Sequence, residues 1–214
     1  MMLKINVKLL LNFFCAASLS IMVIILSVKF TSVFKSIYYV SINSLKINNY
    51  TSLSKAEIKK SYSYIVDFLS DNKSDFSIPY FKSSFNGKAH FYEVKLIFKK
   101  LDIIFYLLYG TVLSICILQY KSIDIYLFKY SSAILFSEAV CLISVFAINF
   151  DNFFTLFHKV LFNNDNWLFS PQEDPIINIL PQKFFLLCAV FILYLMMFTC
   201  ITFYTIYRTH NKSR

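Results

Sequence analysis

Four long apolar runs divide the chain, at positions 9–28, 101–120, 130–150 and 184–207. An α-helix needs about 20 consecutive, mostly apolar residues to cross the hydrocarbon core of a bilayer. Each run is long enough, and the first and the fourth contain no charged residue. The pattern therefore predicts an all-α integral membrane protein with four transmembrane helices and a small helical extracytoplasmic segment.

The first run also has features of a signal peptide, because Lys4 and Lys8 precede it and Cys15 lies within it. A lipoprotein signal has a small residue directly before its cysteine, whereas this chain has Phe14 there. The apolar run is also longer than the core of a cleaved signal, which is about 7–15 residues. We expect an uncleaved membrane anchor.

Basic residues in the short flanks of the runs predict the orientation, since cytoplasmic loops are enriched in Lys and Arg. Segments 1–8, 121–129 and 208–214 fall on one side of a four-helix arrangement. Their basic residues are Lys4, Lys8, Lys121, Lys129, Arg208, Lys212 and Arg214. These three segments are predicted to be cytoplasmic, and segments 29–100 and 151–183 extracytoplasmic, in a multi-pass protein of the cell membrane.

The amino-acid composition limits the classes of binding partner that the chain can have. The chain is 57% hydrophobic with a formal net charge of +9, but it has no Arg cluster or Lys run of the kind that binds nucleic acid. Anionic lipid headgroups suit this spread of charge better. All five cysteines fall inside the predicted spans, which predicts no disulfide framework outside the membrane and favours buried, apolar roles for them.

The first extracytoplasmic segment has helical signals of its own. Ser54 and Glu57 have the spacing of a capping box, which satisfies free N–H groups at a helix start. An apolar stripe at helical spacing follows, and the segment 71–75 should end that helix. The stripe is formed by Ile58, Tyr62, Ile65, Val66 and Leu69. Pro79 and Gly87 indicate turns, and a second helix is expected to start near Asn86 or Gly87 and to continue into the second span.

Two of the three histidines lie beside spans in the predicted extracytoplasmic segments. His90 and Glu93 share one helical face before the second span, because they are three residues apart. Asp151, Phe154, Thr155 and His158 share another face after the third span. Each histidine alone is compatible with an interfacial, hydrogen-bonded residue that has no chemistry. Two of them on one side of the membrane, each near carboxylates, favour a shared site.

The loop after His158 is shaped to return the chain to the membrane. Asn163–Asn166 predicts a turn, and Trp167 is a residue typical of the membrane interface. Pro171 and Pro175 stiffen the return, and Pro181 is well placed to begin the fourth helix. A short loop of this kind can bring His158 close to His90.

The motifs "AHFYEVK" (89–95) and "FHKVLFNNDNWLFSPQEDPIINILPQKFF" (157–185) resemble those of the lipoprotein intramolecular transacylases, the Lit family of bacterial membrane proteins. That family has His-x-x-Asp-Val-Lys before the second span and a long Phe-His to Pro-x-x-Phe-Phe motif between the third and fourth spans. Here Glu93 replaces the usual Asp, and Gly87 stands where an acidic residue is common. The resemblance covers both motifs and the four-span layout, whereas 35–80 adds little.

The resemblance implies a cofactor-free acyltransferase. Its substrates are diacylated bacterial lipoproteins, and the sn-2 acyl chain moves from glycerol to the α-amine of the lipidated N-terminal cysteine, which gives the lyso form. His90 and His158 would be catalytic, one as a base and the other as an acid or oxyanion donor, with the assignment open. Supporting or substrate-binding roles are implied for Glu93, Lys95, Asp151, Asn163, Asn164, Asp165, Trp167 and Asp174.

Two other classes use the same residues differently. His90, Glu93 and His158 would make a two-histidine, one-carboxylate metal site, and hence a membrane hydrolase, although the chain has no His-Glu-x-x-His motif. Glu138, in the middle of the third span, suggests a transporter or a non-enzymatic membrane subunit. Its structural alternative is a protonated or hydrogen-bonded Glu among Ser131, Ser132, Ser137 or groups of neighbouring helices. No inverted repeat supports transport.

Overall fold

The structure is a computed structural model that describes residues 7–70, 75–118 and 124–212. The described ranges consist of helices joined by turns and loops, without β-strands. The helices are α1 (Val7–Val33), α2 (Ser36–Ser44), α3 (Lys55–Leu69), α4 (Phe85–Leu118), α5 (Tyr126–Leu161) and α6 (Gln182–Lys212), with 3₁₀ turns at Ile47–Tyr50 and Pro175–Ile179. Four of them, α1, α4, α5 and α6, are long and apolar enough to cross a membrane. The predicted fold class is thereby confirmed.

The chain divides into two compact units. Among the described residues, the first unit holds 7–28, 101–118, 124–144 and 192–212, and the second holds 29–70, 75–100 and 145–191. Helices α4, α5 and α6 each contribute to both units. Of the residues used above, Lys4, Lys121, Arg214 and the expected helix breaker 71–74 lie outside the described ranges.

In the first unit, polar groups of α1 are buried and bonded to the other helices. Asn12 is 2% exposed and accepts a hydrogen bond from the backbone N–H of Asp124, whose carboxylate pairs with Lys8 at 3.0 Å. The hydroxyl of Ser20 donates to Glu138 at 3.4 Å. The partner of Glu138 therefore comes from a neighbouring helix, one of the two alternatives that the sequence left open.

Cysteines in this chain are free thiols. Cys15 and Cys200 are buried, and the Cys200 thiol donates to the carbonyl of Ser132, so these two fit the expected role of small packed residues. Cys141, in contrast, lies on the outer surface of α5.

The second unit has a core of its own, built from α2, α3, the start of α4 and the Pro175–Ile179 turn. Tyr38 and Tyr62 stack with ring centroids 3.8 Å apart, and the edge of Phe184 packs against both. The Tyr38 hydroxyl donates to the carbonyl of Ile179 at 2.7 Å. This bond ties the α2 end of the core to the loop that precedes α6.

The capping box at the start of α3 is confirmed. The backbone N–H of Ser54 donates to the Glu57 carboxylate at 2.8 Å, and the N–H of Glu57 donates to the Ser54 hydroxyl at 3.4 Å. The predicted apolar stripe faces the core, with Leu69 only partly buried and the rest buried. The stripe therefore explains how α3 packs.

Helix α4 runs without a break from Phe85 to Leu118, as expected, and begins one residue before the predicted start. Gly87 lies inside its first turn rather than in a separate turn, so that interpretation of Gly87 was wrong. The physical reason is the close approach of the Asp174 side chain to Gly87. Pro181 directly precedes α6 instead of occupying its first position.

Candidate active site

The start of α4 is fixed by a buried carboxylate. Asp174 is 3% exposed and accepts hydrogen bonds from the Ser84 backbone N–H at 2.8 Å and from the Ser84 hydroxyl at 2.6 Å. The N–H of Gly87 in turn donates to the Ser84 hydroxyl oxygen. A Cβ on Gly87 would collide with the Asp174 carboxylate, so a glycine is needed for this close approach. His90 follows on the next turn of the helix.

The segment that carries His158 begins at a kink in α5. The backbone of Asn149 is extended (φ −167°, ψ 104°), and its side-chain oxygen accepts the N–H of Asn152 at 2.9 Å. Asn149 thus acts as an N-cap, and the helix restarts after it. This break was not predicted, although an Asn at the end of a span, three residues before Asn152, is compatible with an N-cap.

A carbonyl group fixes the tautomer of His158. Its Nδ1 lies 2.7 Å from the carbonyl oxygen of Phe154, one turn earlier. A carbonyl only accepts hydrogen bonds, so Nδ1 carries the proton and Nε2 keeps a free lone pair. His158 is therefore prepared to accept a proton through Nε2.

The two imidazoles lie together inside an aromatic enclosure. The ring centroids of His90 and His158 are 6.0 Å apart, tilted by 34°, and both side chains belong to the second unit. The loop thus brings the histidines close together, as expected. Aromatic rings surround the pair on several sides, namely Phe91, Phe154, Phe157, Phe162, Trp167 and Phe169.

This enclosure favours the neutral form of both imidazoles. The apolar run of α4 starts at Leu101, and that of α5 ends at Phe150, so both histidines lie outside these runs. Burial, with a smaller effect of His158, lowers the pKa of His90 to about 4. Burial also lowers the pKa of His158, although its bond to Phe154 acts in the opposite direction. In both rings the lowered pKa favours the uncharged form, which is the form that can accept a proton.

Glu93 is held by the turn after α5. Its Oε1 accepts hydrogen bonds from the side-chain amides of Asn164 at 2.8 Å and Asn166 at 3.4 Å. Its Oε2 is buried and has no hydrogen-bond partner within the described ranges. The hydrogen bonds of Glu93 thus go to this turn and not to an imidazole.

The turn also positions Trp167. The indole N–H donates to the Asn164 carbonyl at 3.0 Å, and the ring packs on His158 with centroids 4.9 Å apart. The backbone N–H of Asn166 donates to the Asn164 side chain, which closes the turn. Asn164 thus connects Glu93 on α4 with the ring that covers His158. Asn166, Phe162 and Phe169 were not among the predicted site residues.

Other predicted site residues lie apart from the pair in their described contacts. Lys95 is buried, with its ammonium over the ring of Phe68 at 4.4 Å. Asp151, Asn163 and Asp165 are exposed. Asp174 acts on the site through Ser84, as a brace for α4.

The residues do not fit a metal centre. Within the described ranges, no three His, Cys, Asp or Glu side chains are grouped closely enough to hold a metal ion. His90, Glu93 and His158 therefore do not form the ligand set that the sequence allowed, because Glu93 is bonded to Asn164 and Asn166 instead.

A family model for "Lipoprotein intramolecular transacylase Lit" matches residues 13–185, which include both histidines and Glu93. This chain belongs to that family. A comparison with functionally curated proteins gave no significant match.

Solved structures agree with this family membership. The lipoprotein intramolecular transacylase Lit from Bacillus cereus, a membrane-integral protein, is 30% identical, with a TM-score of 0.90 and 97% of each chain covered. Two variants of that protein, with one histidine replaced by arginine or by alanine, match with a TM-score of 0.86 at the same identity. They cover 97% of this chain, and 93% and 95% of theirs. This family member is thus a multi-pass membrane protein of the transacylase type.

Proposed function

We propose that this protein moves the sn-2 acyl chain of a diacylglyceryl lipoprotein to the α-amine of its N-terminal cysteine. The observation that carries the proposal is the pair of imidazoles, with ring centroids 6.0 Å apart, in a member of this family. Acyl transfer from an oxygen to an amine needs a proton acceptor and a proton donor at one place.

The surroundings of the two histidines support different roles for them. His158 is the base, because its Nδ1–H is committed to Phe154 and its Nε2 lone pair is free. His90 is the donor that stabilises the oxyanion. It is buried, and in this low-dielectric enclosure an N–H donor acts strongly on developing negative charge.

The proton balance is as follows. An α-ammonium group titrates near 7.7–8.0, close enough to neutral pH that a positioned general base can remove one of its protons. The amine then attacks the ester carbonyl, an oxyanion forms, and the bond between the carbonyl carbon and the glycerol oxygen breaks. The nitrogen loses two protons in total. One ends on the glycerol oxygen, and the other leaves to solvent through His158.

No cofactor is required in this scheme. Amine and ester belong to the same molecule, so the protein mainly has to hold them in a reactive geometry. The aromatic enclosure is suited to that task, since rigid rings confine the glyceryl and acyl groups. We expect diacylated lipoproteins and membrane lipids as the binding partners, and no nucleic acid.

Mass spectrometry of lipoprotein N-termini tests the function. Cells that gain this chain should form N-acyl, S-monoacylglyceryl cysteine, and cells without it should keep the diacylglyceryl form. A matched control expresses the protein with both histidines changed to alanine. Unchanged diacylglyceryl peptides, with the folded protein present in the membrane, would refute the proposal.

The site is proposed to face the outside of the cell. A membrane-impermeant maleimide should label Asp165→Cys and Lys88→Cys in intact cells, and should label Ile125→Cys only after the cells are opened. Labelling of Ile125→Cys in intact cells would reverse the orientation.

A further inference from the structure

Only one of the two oxygens of the Glu93 carboxylate accepts hydrogen bonds from the described residues. Oε1 receives two amide N–H groups, from Asn164 and Asn166. Oε2 is covered and has neither a hydrogen bond nor an ion pair within the described ranges. An acceptor that is buried without a donor is costly, most of all when it carries charge, so it needs a donor from outside the chain.

Two polar groups of the site are hydrogen-bond acceptors. The Nδ1–H of His158 is bonded to Phe154, so its Nε2 is an acceptor, as is Oε2 of Glu93. These two groups are linked by Asn164, which donates to Glu93 and accepts the indole N–H of Trp167, while the indole covers His158. The two acceptors, one of them a carboxylate, thus belong to one connected set of side chains.

An ammonium group matches this arrangement. It has three N–H donors and a positive charge, and hydrogen bonds between charged partners are about twice as strong as neutral ones. We propose that Glu93 binds the α-ammonium of the substrate cysteine through Oε2, an inference that rests on the transacylase function proposed above. Glu93 is then a substrate-binding residue that selects lipoproteins with a free N-terminal amine.

In this arrangement Glu93 accepts hydrogen bonds from the ammonium and takes no proton from it. One N–H of the ammonium points to Oε2 and another to Nε2 of His158, which takes that proton and becomes an imidazolium. The carboxylate then compensates the new positive charge. Because Oε2 is covered in the free protein, binding requires the turn to move aside. Asn163, Asn164 and Asp165 of this turn lie at the surface, where such a movement costs little free energy.

Glu93→Gln is the discriminating variant. The amide keeps one oxygen that can accept from Asn164 and Asn166, so the turn keeps its support. The other atom becomes an NH₂ donor, which repels an ammonium instead of binding it. Glu173→Gln is the matched control, since it removes an exposed carboxylate from the same loop.

The test uses two peptides with ether-linked alkyl chains, which bind but have no ester to transfer. One carries the cysteine α-amine, and the other has hydrogen in its place. The wild type and Glu173→Gln should bind the amine peptide about ten- to a hundredfold more tightly. Glu93→Gln should bind both peptides equally, with unchanged affinity for the peptide that lacks the amine.

Two results would overturn the inference: a wild type without this preference, or a folded Glu93→Gln protein that keeps it. A second measurement needs no variant, because the wild-type preference should vanish as pH rises and the amine loses its charge. A preference that persists at high pH contradicts the assignment. Absence of acyl transfer by the wild type on an ester peptide refutes the proposed function itself, so the two failures are distinguishable.

Discussion

Each unit of this protein contains a glutamate with one buried carboxylate oxygen that has no partner within the described ranges. In the first unit it is Glu138, whose other oxygen meets the hydroxyl of Ser20. In the second it is Glu93, bonded to Asn164 and Asn166. The difference lies in what surrounds them.

Glu138 has one hydroxyl partner, and Ser131 and Ser137, which the sequence suggested as neighbours, bond to carbonyls of their own helix. Glu93 belongs to a chain of contacts that includes two amides, an indole and an imidazole with a fixed tautomer. An isolated buried acid is therefore a poor guide to function. A buried acid linked to groups that can move protons is a better one.

The largest effect should come from the histidines. His90→Ala and His158→Ala should each lower the rate of acyl transfer by about 10²–10⁴-fold, the usual contribution of a general acid or base. His210→Ala is the control, because it lies at the C-terminal end of α6, in a tail predicted to be cytoplasmic. Single-turnover rates in detergent micelles measure the effect. Near-normal turnover by a folded variant would remove that histidine from the mechanism.

A smaller effect should follow from filling the space at Gly87. Gly87→Ala places a methyl group against the pinned Asp174, and overpacking of this kind costs about 1–3 kcal/mol. We expect a lower melting temperature and about tenfold lower activity, since His90 is on the next turn. Gly110→Ala is the matched control, with no atom within 4 Å of the new methyl group. Equal melting temperatures for the two variants would show that Asp174 does not brace the helix.

The pH dependence of turnover tests whether the aromatic enclosure lowers the pKa of the histidines. For an imidazole with the ordinary pKa of about 6.5, the fraction in the neutral form falls about tenfold between pH 7 and pH 5.5. Because burial lowers the pKa of both histidines, the turnover number should fall by less than that. Turnover at saturating substrate, at these two pH values, gives the answer. A full tenfold loss with a midpoint near 6.5 would mean that the basic histidine is solvated in the complex.

The smallest effect is expected in the first unit. Hydrogen bonds between transmembrane helices contribute only about 0.6 kcal/mol on average, so Glu138→Gln should change activity less than threefold. A loss as large as that of a histidine variant would show that Glu138 takes part in function. The contrast between the two glutamates would then be wrong.

Local patterns in the sequence predicted much of this fold. The four long helices, the cap at Ser54 and the apolar stripe of α3 all depend on residues within a few positions of each other. Contacts between residues that are far apart in the sequence were harder to predict. Glu93 and Asn164 are 71 residues apart, and nothing local in either segment indicates that they bond.

The candidate site shows the same limit. The closeness of His90 and His158 was expected, because the loop that returns to the membrane is short. The bracing role of Asp174 was not, since its partners Ser84 and Gly87 lie in a different segment. Gly87 looked like a turn in the sequence because close packing and turn formation select the same residue.

The two histidines are proposed to act on one reaction, and the double variant tests whether they do. If they do, the His90→Ala/His158→Ala protein should transfer acyl groups only slightly more slowly than the slower single variant, because members of one catalytic unit are strongly non-additive. The measurement is the single-turnover rate of the four proteins, with melting temperatures to show that all are folded. A double variant whose loss is the product of the two single losses would contradict the claim.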